Sequence, residues 1–331
     1  MTRRARALLP FALALLLCGA VLLAVGVDPF EYGAVVLRRG LFSPRGVQES
    51  LSRAAPLLLI AASLMLSFRA GLWNLGVDGQ FLLAATVTAA TAPVLDATFG
   101  RAAALLGGLA LAALTGAAWA ALPAALRAWR GLNEIVTTLM MSFLGVSLAN
   151  TLIKLALRDP DTTVPQTLTL PVAERLPRLF GSTVHLGLPL ALGIVLGMHL
   201  LLTRSAIGLR LRVLGESPRA ARHMGLDVPR LTFTALLGSG ALAGLAGGVD
   251  ILGVWGTVRA DWNPAYGLMV VPAVLLARLN GYWAALVVAL LAVLSVGTES
   301  AAVRLGVPSY FNLVFVAVVL LSLGAARPRR V

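Results

Sequence analysis

The sequence is poor in charge. Only 12% of its 331 residues are charged, against about a quarter in an ordinary soluble domain. So few charged side chains cannot cover a soluble surface, which excludes a free cytosolic enzyme and a disordered chain. Hydrophobic residues make up 59% of the sequence, and the mean hydropathy is +0.89. This composition predicts an all-α, polytopic bundle of transmembrane helices embedded in a lipid bilayer.

Cysteine, lysine and histidine are scarce. With one cysteine, Cys18, the chain cannot form an intramolecular disulfide, and no Cys/His spacing indicates a metal site. The phosphate-binding P-loop pattern is absent, since the sole lysine, Lys154, follows no glycine-rich stretch. Serine-elbow and zinc-protease motifs are also absent. We therefore expect no catalytic residue and no metal site here, and any transport must draw its energy from elsewhere.

Basic residues outnumber acidic ones by 27 to 14. The arginines fall between apolar stretches and not along one polar helix face, so they favour loops facing the cytoplasm over a nucleic-acid-binding surface. They cluster at both ends of the sequence and in 204–230. By the positive-inside rule, these clusters predict that the N and C termini are cytoplasmic.

Apolar stretches long enough to cross a bilayer recur along the chain. They predict about ten spans (eight to ten), at 8–27, 54–70, 79–95, 102–126, 135–157, 185–203, 231–256, 267–279, 283–299 and 308–324. The first is expected to be uncleaved, and 267–279 is short enough to be a half-span. We expect one transmembrane domain over 1–331, with the first span and an interfacial stretch in 1–53, a core bundle in 54–324 and a tail in 325–331.

The segment 158–184 lies between two predicted spans and contains four prolines. So many prolines in a short segment disfavour a long helix. By parity the segment lies outside the cell, where it either docks a partner or simply connects two helices.

Two segments carry more polar residues than packing helices need. In 69–80, glycines interrupt the apolar pattern and Asn74, Asp78 and Gln80 lie between them. Irregular backbone and charged side chains are costly in lipid, so this segment is expected to face the protein interior and a water-accessible path. The alternative is an ordinary loop at the cytoplasmic face. In 131–141, Asn133 and Glu134 begin a span, where an acid also stabilises the positive end of the helix dipole.

A third polar segment, 203–229, contains five arginines and a set of helix-end signals. Ser217 and Pro218 predict a helix start, and Gly225 predicts the end of a short helix over 218–224. A capped helix held beneath a bundle can be pressed on by another protein. A plain arginine-rich loop is the alternative.

Together the three segments resemble permease subunits of bacterial ATP-binding-cassette (ABC) importers in the nucleoside and simple-sugar branch, which is related to the ribose and branched-chain amino-acid permeases. The family pattern Phe-Asn-Ile-Gly-x-Glu-Gly-Gln matches 73–80, where Trp73 and Asp78 replace the usual phenylalanine and glutamate. The pattern Leu-Asn-Glu-Val/Ile-x-x-Thr-Leu-Met matches 132–140, and a cytoplasmic motif matches 203–225 with looser spacing.

The resemblance implies partners and a mechanism. An extracytoplasmic substrate-binding lipoprotein would deliver a nucleoside-like or simple-sugar-like solute to a pair of permease subunits in the bacterial cell membrane, of which the second is not identical to this chain. Separate ABC ATPase subunits would bind ATP and Mg²⁺ and drive the conformational change. This chain would then be no enzyme, would hold no cofactor and would bind no nucleic acid.

The resemblance also implies which residues take part. Those expected along the substrate pathway are Asn74, Asp78, Gln80, Asn133 and Glu134. Those expected to couple the chain to the ATPase are Gly208, Gly215, Glu216, Pro218, Ala220, Ala221 and Gly225.

Three alternatives stay open. An ion-coupled secondary transporter would need intramembrane acids, for which Asp78, Asp250 and Glu299 are candidates. An ABC permease for branched-chain amino acids would work by the same mechanism but would transport a different solute. An integral-membrane enzyme would need a convergent catalytic set, which the sequence lacks.

Overall fold

A computed structural model describes residues 16–308, 311 and 318 of the chain. Its helices differ widely in length, and capping residues and glycine-containing turns separate them. The helices of the described residues are α1 (Leu16–Ala24), α2 (Pro29–Leu37), α3 (Pro44–Arg69), α4 (Val77–Phe99), α5 (Arg101–Arg130), α6 (Glu134–Leu155), α7 (Gly187–Arg204), α8 (Ala206–Glu216), α9 (Pro218–His223), α10 (Val228–Asp250), α11 (Tyr266–Leu276) and α12 (Gly281–Leu305). The all-α prediction is therefore confirmed.

Seven of the described helices are long and apolar enough to cross a membrane: α3, α4, α5, α6, α7, α12 and α10 with the π-helical turn that extends it to Trp255. An eighth span is possible if α1 and α2, which are bent by 111°, count as one. The predicted tail 325–331, the start of span 8–27 and nearly all of span 308–324 lie outside the described residues. The count of about ten spans and the side of the termini stay predictions.

The stretch expected to be interfacial, 28–53, differs most from the prediction. Helix α3 begins at Pro44 and not near residue 54, because the side chain of Ser43 caps its first turn. The charge of Arg53 does not end the helix, since its guanidinium forms an ion pair with Glu299 of α12. A basic residue that meets a carboxylate from another helix can therefore lie well inside a span.

The two ends of the bundle are built differently. At one end, which we call the α9 end, α8 and α9 lie beside the turn that follows α3. The backbones of Gly71 and Gly215 approach so closely there that a Cβ on Gly71 would lie 2.9 Å from the Cα of Gly215. A side chain on either glycine would separate α8 from α3.

At the opposite end, which we call the loop end, the connection 156–186 folds back onto the bundle. It is tied to the residues that follow α10, since the Leu176 backbone amide donates to the Leu252 carbonyl at 2.8 Å and the Arg175 guanidinium donates to the Val254 carbonyl at 2.8 Å. Apart from a 3₁₀ turn at Val172–Glu174, its described residues form no helix. The prediction that prolines prevent a long helix here is confirmed.

One titratable group of this connection lies in its last turn. His185 is fully buried, and its Nδ1 accepts a hydrogen bond from the Gly187 amide at 3.1 Å. Burial lowers the pKa of His185 to about 4, so its ring is neutral at pH 7. The neutral ring thus accepts one hydrogen bond from the backbone where α7 begins.

Helices α5 and α10 pack through stripes of small residues. Ala112, Gly116 and Ala120 recur every fourth residue on α5 and are buried against Gly240 and Gly244 of α10. A Cβ on Gly116 would overlap the carbonyl oxygen of Gly240, so the two backbones touch. Because lipid tails are as apolar as leucine, close backbone approach is a main source of helix association in a membrane.

This packing predicts unequal effects of two glycine-to-alanine changes. Gly116→Ala should lower the free energy of unfolding by about 1–3 kcal/mol, since α5 and α10 must move apart. Gly193→Ala on α7 is the matched control, because a Cβ there meets nothing within 4 Å. Thermal melting of the detergent-solubilised protein measures both. Equal melting temperatures for the two variants would contradict this account of the interface.

Candidate translocation site

Helix α4 begins inside the bundle and not at its surface. The chain leaves α3 at the α9 end, yet the Gly79 amide in the first turn of α4 donates to the Ser142 hydroxyl at 3.1 Å. Ser142 lies two turns into α6, or roughly 12 Å from its start at 1.5 Å per residue. The segment 70–76 therefore runs into the bundle as irregular backbone before α4 starts.

Helix α11 also begins inside the bundle, from the opposite direction. It has 11 residues, which span only about 16 Å. Its far end leads into α12, where the Gly281 amide donates to His199 near the α9 end of α7. The helix therefore covers about half of the bundle, in agreement with the half-span interpretation of 267–279.

The two interior helix starts meet at Asp78. The Gly267 amide in the first turn of α11 donates to Oδ1 of Asp78 at 2.6 Å, while Asp78 lies in the first turn of α4. The positive ends of both helix dipoles therefore face one carboxylate. Residue 267 must be small, because a Cβ there would lie 2.9 Å from that oxygen.

Asn74 and Gln80 form a reciprocal amide pair. Nδ2 of Asn74 donates to Oε1 of Gln80 at 3.0 Å, and Nε2 of Gln80 donates to Oδ1 of Asn74 at 3.2 Å. Nδ2 of Asn74 also donates to the Ser239 hydroxyl at 2.9 Å, which in turn contacts Ser63. Both amides are 1% exposed. Neither lines a described cavity in this conformation, so their contact with a solute stays a prediction.

Asn133 and Glu134 lie apart from this pair, at the α9 end. Oδ1 of Asn133 accepts from the Ile135 amide at 2.9 Å and so caps α6. The buried carboxylate of Glu134 forms an ion pair with Arg127 of α5 at 3.2 Å. Both contacts stabilise the junction of α5 and α6. A direct role in the pathway stays a prediction for these two residues.

A cavity of about 530 Å³ lies between α4, α6 and the segment 261–268. We call it the Asp78 groove. Asp78 and Ser142 line its inner part, and Asn150, Lys154 and Asp261 line the part nearest the loop end. Because Nζ of Lys154 lies 2.9 Å from Asp261, the two charges of that region neutralise each other. The groove thus offers hydroxyl and amide groups beside the carboxyl group of Asp78.

The short helix over 218–224 is confirmed to within one residue, as α9. The Ser217 hydroxyl accepts from the Ala220 amide at 3.2 Å, and Gly225 follows the helix with φ of +75°. Ala221 is fully buried, whereas Pro218 and Ala220 are exposed. Most of the helix surface is therefore accessible to another protein.

The other residues expected to couple the chain hold α8 in place. A Cβ on Gly208 would overlap the backbone of Leu202, and a Cβ on Gly215 would lie 2.6 Å from the Arg69 carbonyl. Glu216 is exposed and pairs with Arg212 within α8 at 2.8 Å. The glycines therefore allow α8 to contact both α7 and α3. Their part in coupling stays a prediction.

Several residues of the groove were missed by the sequence analysis. Asn150, Lys154 and Asp261 meet there, since the Asp261 amide also donates to Oδ1 of Asn150 at 2.8 Å. The contact joins residues more than one hundred positions apart, which no local pattern reveals. The one available signal was that Lys154 is the sole lysine of a chain rich in arginine.

A family model described as "Branched-chain amino acid transport system / permease component" matches residues 46–323. The chain belongs to this permease family. It is 34% identical to a glucose ABC transporter permease of Haloferax volcanii, over 94% of this chain and 84% of the relative. It is 28% identical to a guanosine ABC transporter permease of Bacillus subtilis, over 92% and 89%, and 28% identical to a probable riboflavin import permease of Treponema pallidum, over 72% and 63%. No solved structure matches the chain.

These relatives confirm the resemblance to importers of the nucleoside and simple-sugar branch. The chain is a permease subunit of an ABC importer and a multi-pass protein of the cell membrane. Such subunits are not enzymes, and they work with ATPase and substrate-binding partners. An ion-coupled secondary transporter is not favoured.

The amide pair predicts coupled effects on stability. Asn74→Leu should cost about 1–3 kcal/mol, because it leaves the buried amide of Gln80 without its partner. Gln80→Met should cost a similar amount. The variant with both changes should lose clearly less than the sum, since neither side-chain amide of the pair is then left without the other. Thermal melting of the four proteins measures the coupling, and strictly additive losses would show that the two amides do not depend on each other.

Proposed function

We propose that this chain and a second, non-identical permease subunit form the path by which an importer moves a nucleoside-like or simple-sugar-like solute across the bacterial cell membrane. The observation that carries the proposal is the Asp78 groove, which reaches from the loop end to the interior start of two helices. Transporters bind their solutes where broken helices begin inside the membrane. We expect one transmembrane permease domain over 1–331.

The chemistry of the groove favours a neutral solute rich in hydroxyl groups. Ser142, Ser147 and Asn150 can replace water around hydroxyls, because each can donate and accept hydrogen bonds. A branched-chain amino acid would need partners for both of its charges. The sole cation of the groove, Lys154, is paired with Asp261. Glucose, guanosine and riboflavin, for which relatives are named, all carry several hydroxyl groups.

The distribution of arginines supports one orientation. The α9 end carries the basic residues Arg204, Arg210, Arg212, Arg219, Arg222 and Arg230 in and around α8 and α9. The positive-inside rule therefore favours a cytoplasmic α9 end, and the arginines near both ends of the sequence favour cytoplasmic N and C termini by the same rule. The loop end then faces outside, where a substrate-binding lipoprotein would deliver the solute.

The packing of α8 suggests how ATP hydrolysis reaches the groove. ATP and Mg²⁺ would bind only to the partner ATPases, whose closure would press on the exposed face of α9. Because Gly215 of α8 touches the backbone at the end of α3, a push on α9 moves that end as a rigid body. The segment that follows α3 carries Asn74 and leads to Asp78. The wall of the groove would therefore move with α9.

The proposed function predicts solute uptake driven by ATP. Proteoliposomes containing this chain, the second permease and the ATPases, supplied with the binding protein, should take up glucose, guanosine or riboflavin only when ATP is present. Leucine should not be taken up, and a proton or sodium gradient should not replace ATP. ATP-driven uptake of leucine alone, or uptake driven by an ion gradient, would contradict the proposal.

The proposed coupling predicts the effect of a bulky residue on α9. Ala220→Trp should leave the complex assembled but reduce solute uptake at least tenfold, because the exposed alanine lies on the face that the ATPase would press. Ala97→Trp is the matched control, since Ala97 is exposed at the loop end of α4. Uptake and ATP hydrolysis are measured together. Normal uptake by Ala220→Trp would remove α9 from the coupling interface.

A further inference from the structure

A second cavity, of about 510 Å³, lies at the loop end between α3, the connection 256–265, α11 and α12. We call it the tryptophan cavity. Its walls include Arg53, Trp255, Trp262, Tyr266 and Glu299. Within the described part of the chain, it shares no lining residue with the Asp78 groove. The proposed pathway through the groove therefore does not account for it.

Aromatic rings form one side of this cavity. The rings of Trp255 and Trp262 lie 5.9 Å apart and are inclined by 64°, and Phe81 packs behind Trp262 and Tyr266. Trp255 is 37% exposed, so part of its ring is available to a ligand. Exposed indole faces bind flat heterocycles and the CH-rich faces of sugar rings, because both offer apolar area of matching shape.

Charged groups form another side. The Arg53 guanidinium lies 5.8 Å from the centre of the Trp255 ring and pairs with both Glu49, at 3.3 Å, and Glu299. About half of the Glu299 side chain is exposed. The wall thus presents guanidinium donors beside a carboxylate acceptor, a set that matches neighbouring hydroxyl groups. Because the charges of Arg53, Glu49 and Glu299 are opposite and paired, these three favour a neutral ligand over an ion, and the exposed Arg259 of the same cavity adds a further guanidinium donor.

A buried carboxylate lies behind this wall. Asp250 is fully buried, and the described residues that interact with its carboxylate include the Trp255 indole, as a hydrogen-bond donor, and the Arg53 guanidinium. A carboxylate buried in a membrane bundle is costly and by default indicates function. Its negative charge lies near the Arg53 guanidinium, which is paired with Glu49 and Glu299.

The tryptophan cavity and the Asp78 groove are separated by a wall one chain thick. Residues of the segment 261–269 face the two cavities in alternation: Asp261, Asn263, Ala265 and Leu268 line the groove, whereas Trp262, Pro264, Tyr266 and Met269 line the tryptophan cavity. Asp261 and Ala265 have φ of 61° and 51°, which is strained for residues with a side chain. Strained backbone persists only where the surroundings hold it, and it is often found at ligand-binding sites.

We infer that the tryptophan cavity binds the transported solute, a neutral ring bearing hydroxyl groups, before the solute passes the 261–269 wall into the Asp78 groove. Trp255 and Trp262 stack on the ring, and Arg53 with Glu299 binds its hydroxyls. This inference rests on the proposed function for the identity of the solute. The site itself can be tested without transport.

Cysteine labelling tests occupancy of the cavity in the assembled complex without ATP. Cys18 is the sole native cysteine and is buried, so a Cys18→Ser background gives a clean signal. Ala302→Cys places a thiol on the cavity wall, and Ala97→Cys places a control thiol at the same end but outside the cavity. Glucose, guanosine or riboflavin should slow maleimide labelling of residue 302 at least threefold and leave residue 97 unchanged.

Variants then show whether the cavity walls bind the solute. Trp255→Leu and Glu299→Gln, each added to Ala302→Cys, should abolish the protection. Trp283→Leu is the matched control, since Trp283 is also exposed but lines a different, apolar cavity beside α3 and α12. Glu299→Gln keeps the size of the side chain. Loss of protection in this variant therefore cannot be attributed to misfolding, which Trp255→Leu alone would leave open.

The outcomes separate the inference from the proposed function. Failure of all three solutes to protect residue 302 in the intact complex, or equal protection in the wall variants, would overturn the inference. ATP-driven uptake that coexists with such a result would leave the proposed function standing. Protection that depends on Trp255 and Glu299, without any ATP-driven uptake, would support the binding site and contradict the proposed function.

Discussion

Backbone that becomes irregular inside a bilayer must find all of its hydrogen-bond partners within the protein. This chain meets that constraint at Asp78, whose carboxylate accepts the Gly267 amide where α4 and α11 both begin. The contact lets two helices start inside the bundle without leaving polar groups in lipid. The groove, its polar lining and the half-span α11 all depend on it.

The rest of the bundle supports these interior starts by close packing. Helices α3 and α10 are largely buried, whereas α5, α6 and α7 expose most of their surface. Small residues let α10 lie directly against α5 and α4, since a Cβ on Gly247 would overlap the Phe81 carbonyl. The rigid centre therefore carries the irregular segments 70–76 and 256–265. Cavities form on either side of the second segment, whose residues from 261 onward face the two cavities in alternation.

Local signals in the sequence predicted much of this structure. Ser217, Pro218 and Gly225 predicted the short helix α9, and the glycines of 69–80 predicted irregular backbone inside the protein, because caps and breaks depend on a few neighbouring residues. Contacts between distant residues could not be predicted. The partners of Asp78, Lys154 and Arg53 come from helices far along the chain. Because the ion pair of Arg53 with Glu299 could not be foreseen either, α3 was predicted to begin at residue 54, whereas it begins at Pro44.

The most direct test of the central contact compares two changes at Asp78 in the assembled importer. An asparagine keeps an oxygen that can accept the Gly267 amide, whereas a leucine does not. We expect Asp78→Asn to retain assembly and most of the thermal stability, and Asp78→Leu to lose about 1–3 kcal/mol of stability together with uptake. A leucine variant as stable and as active as the unchanged protein would contradict the account.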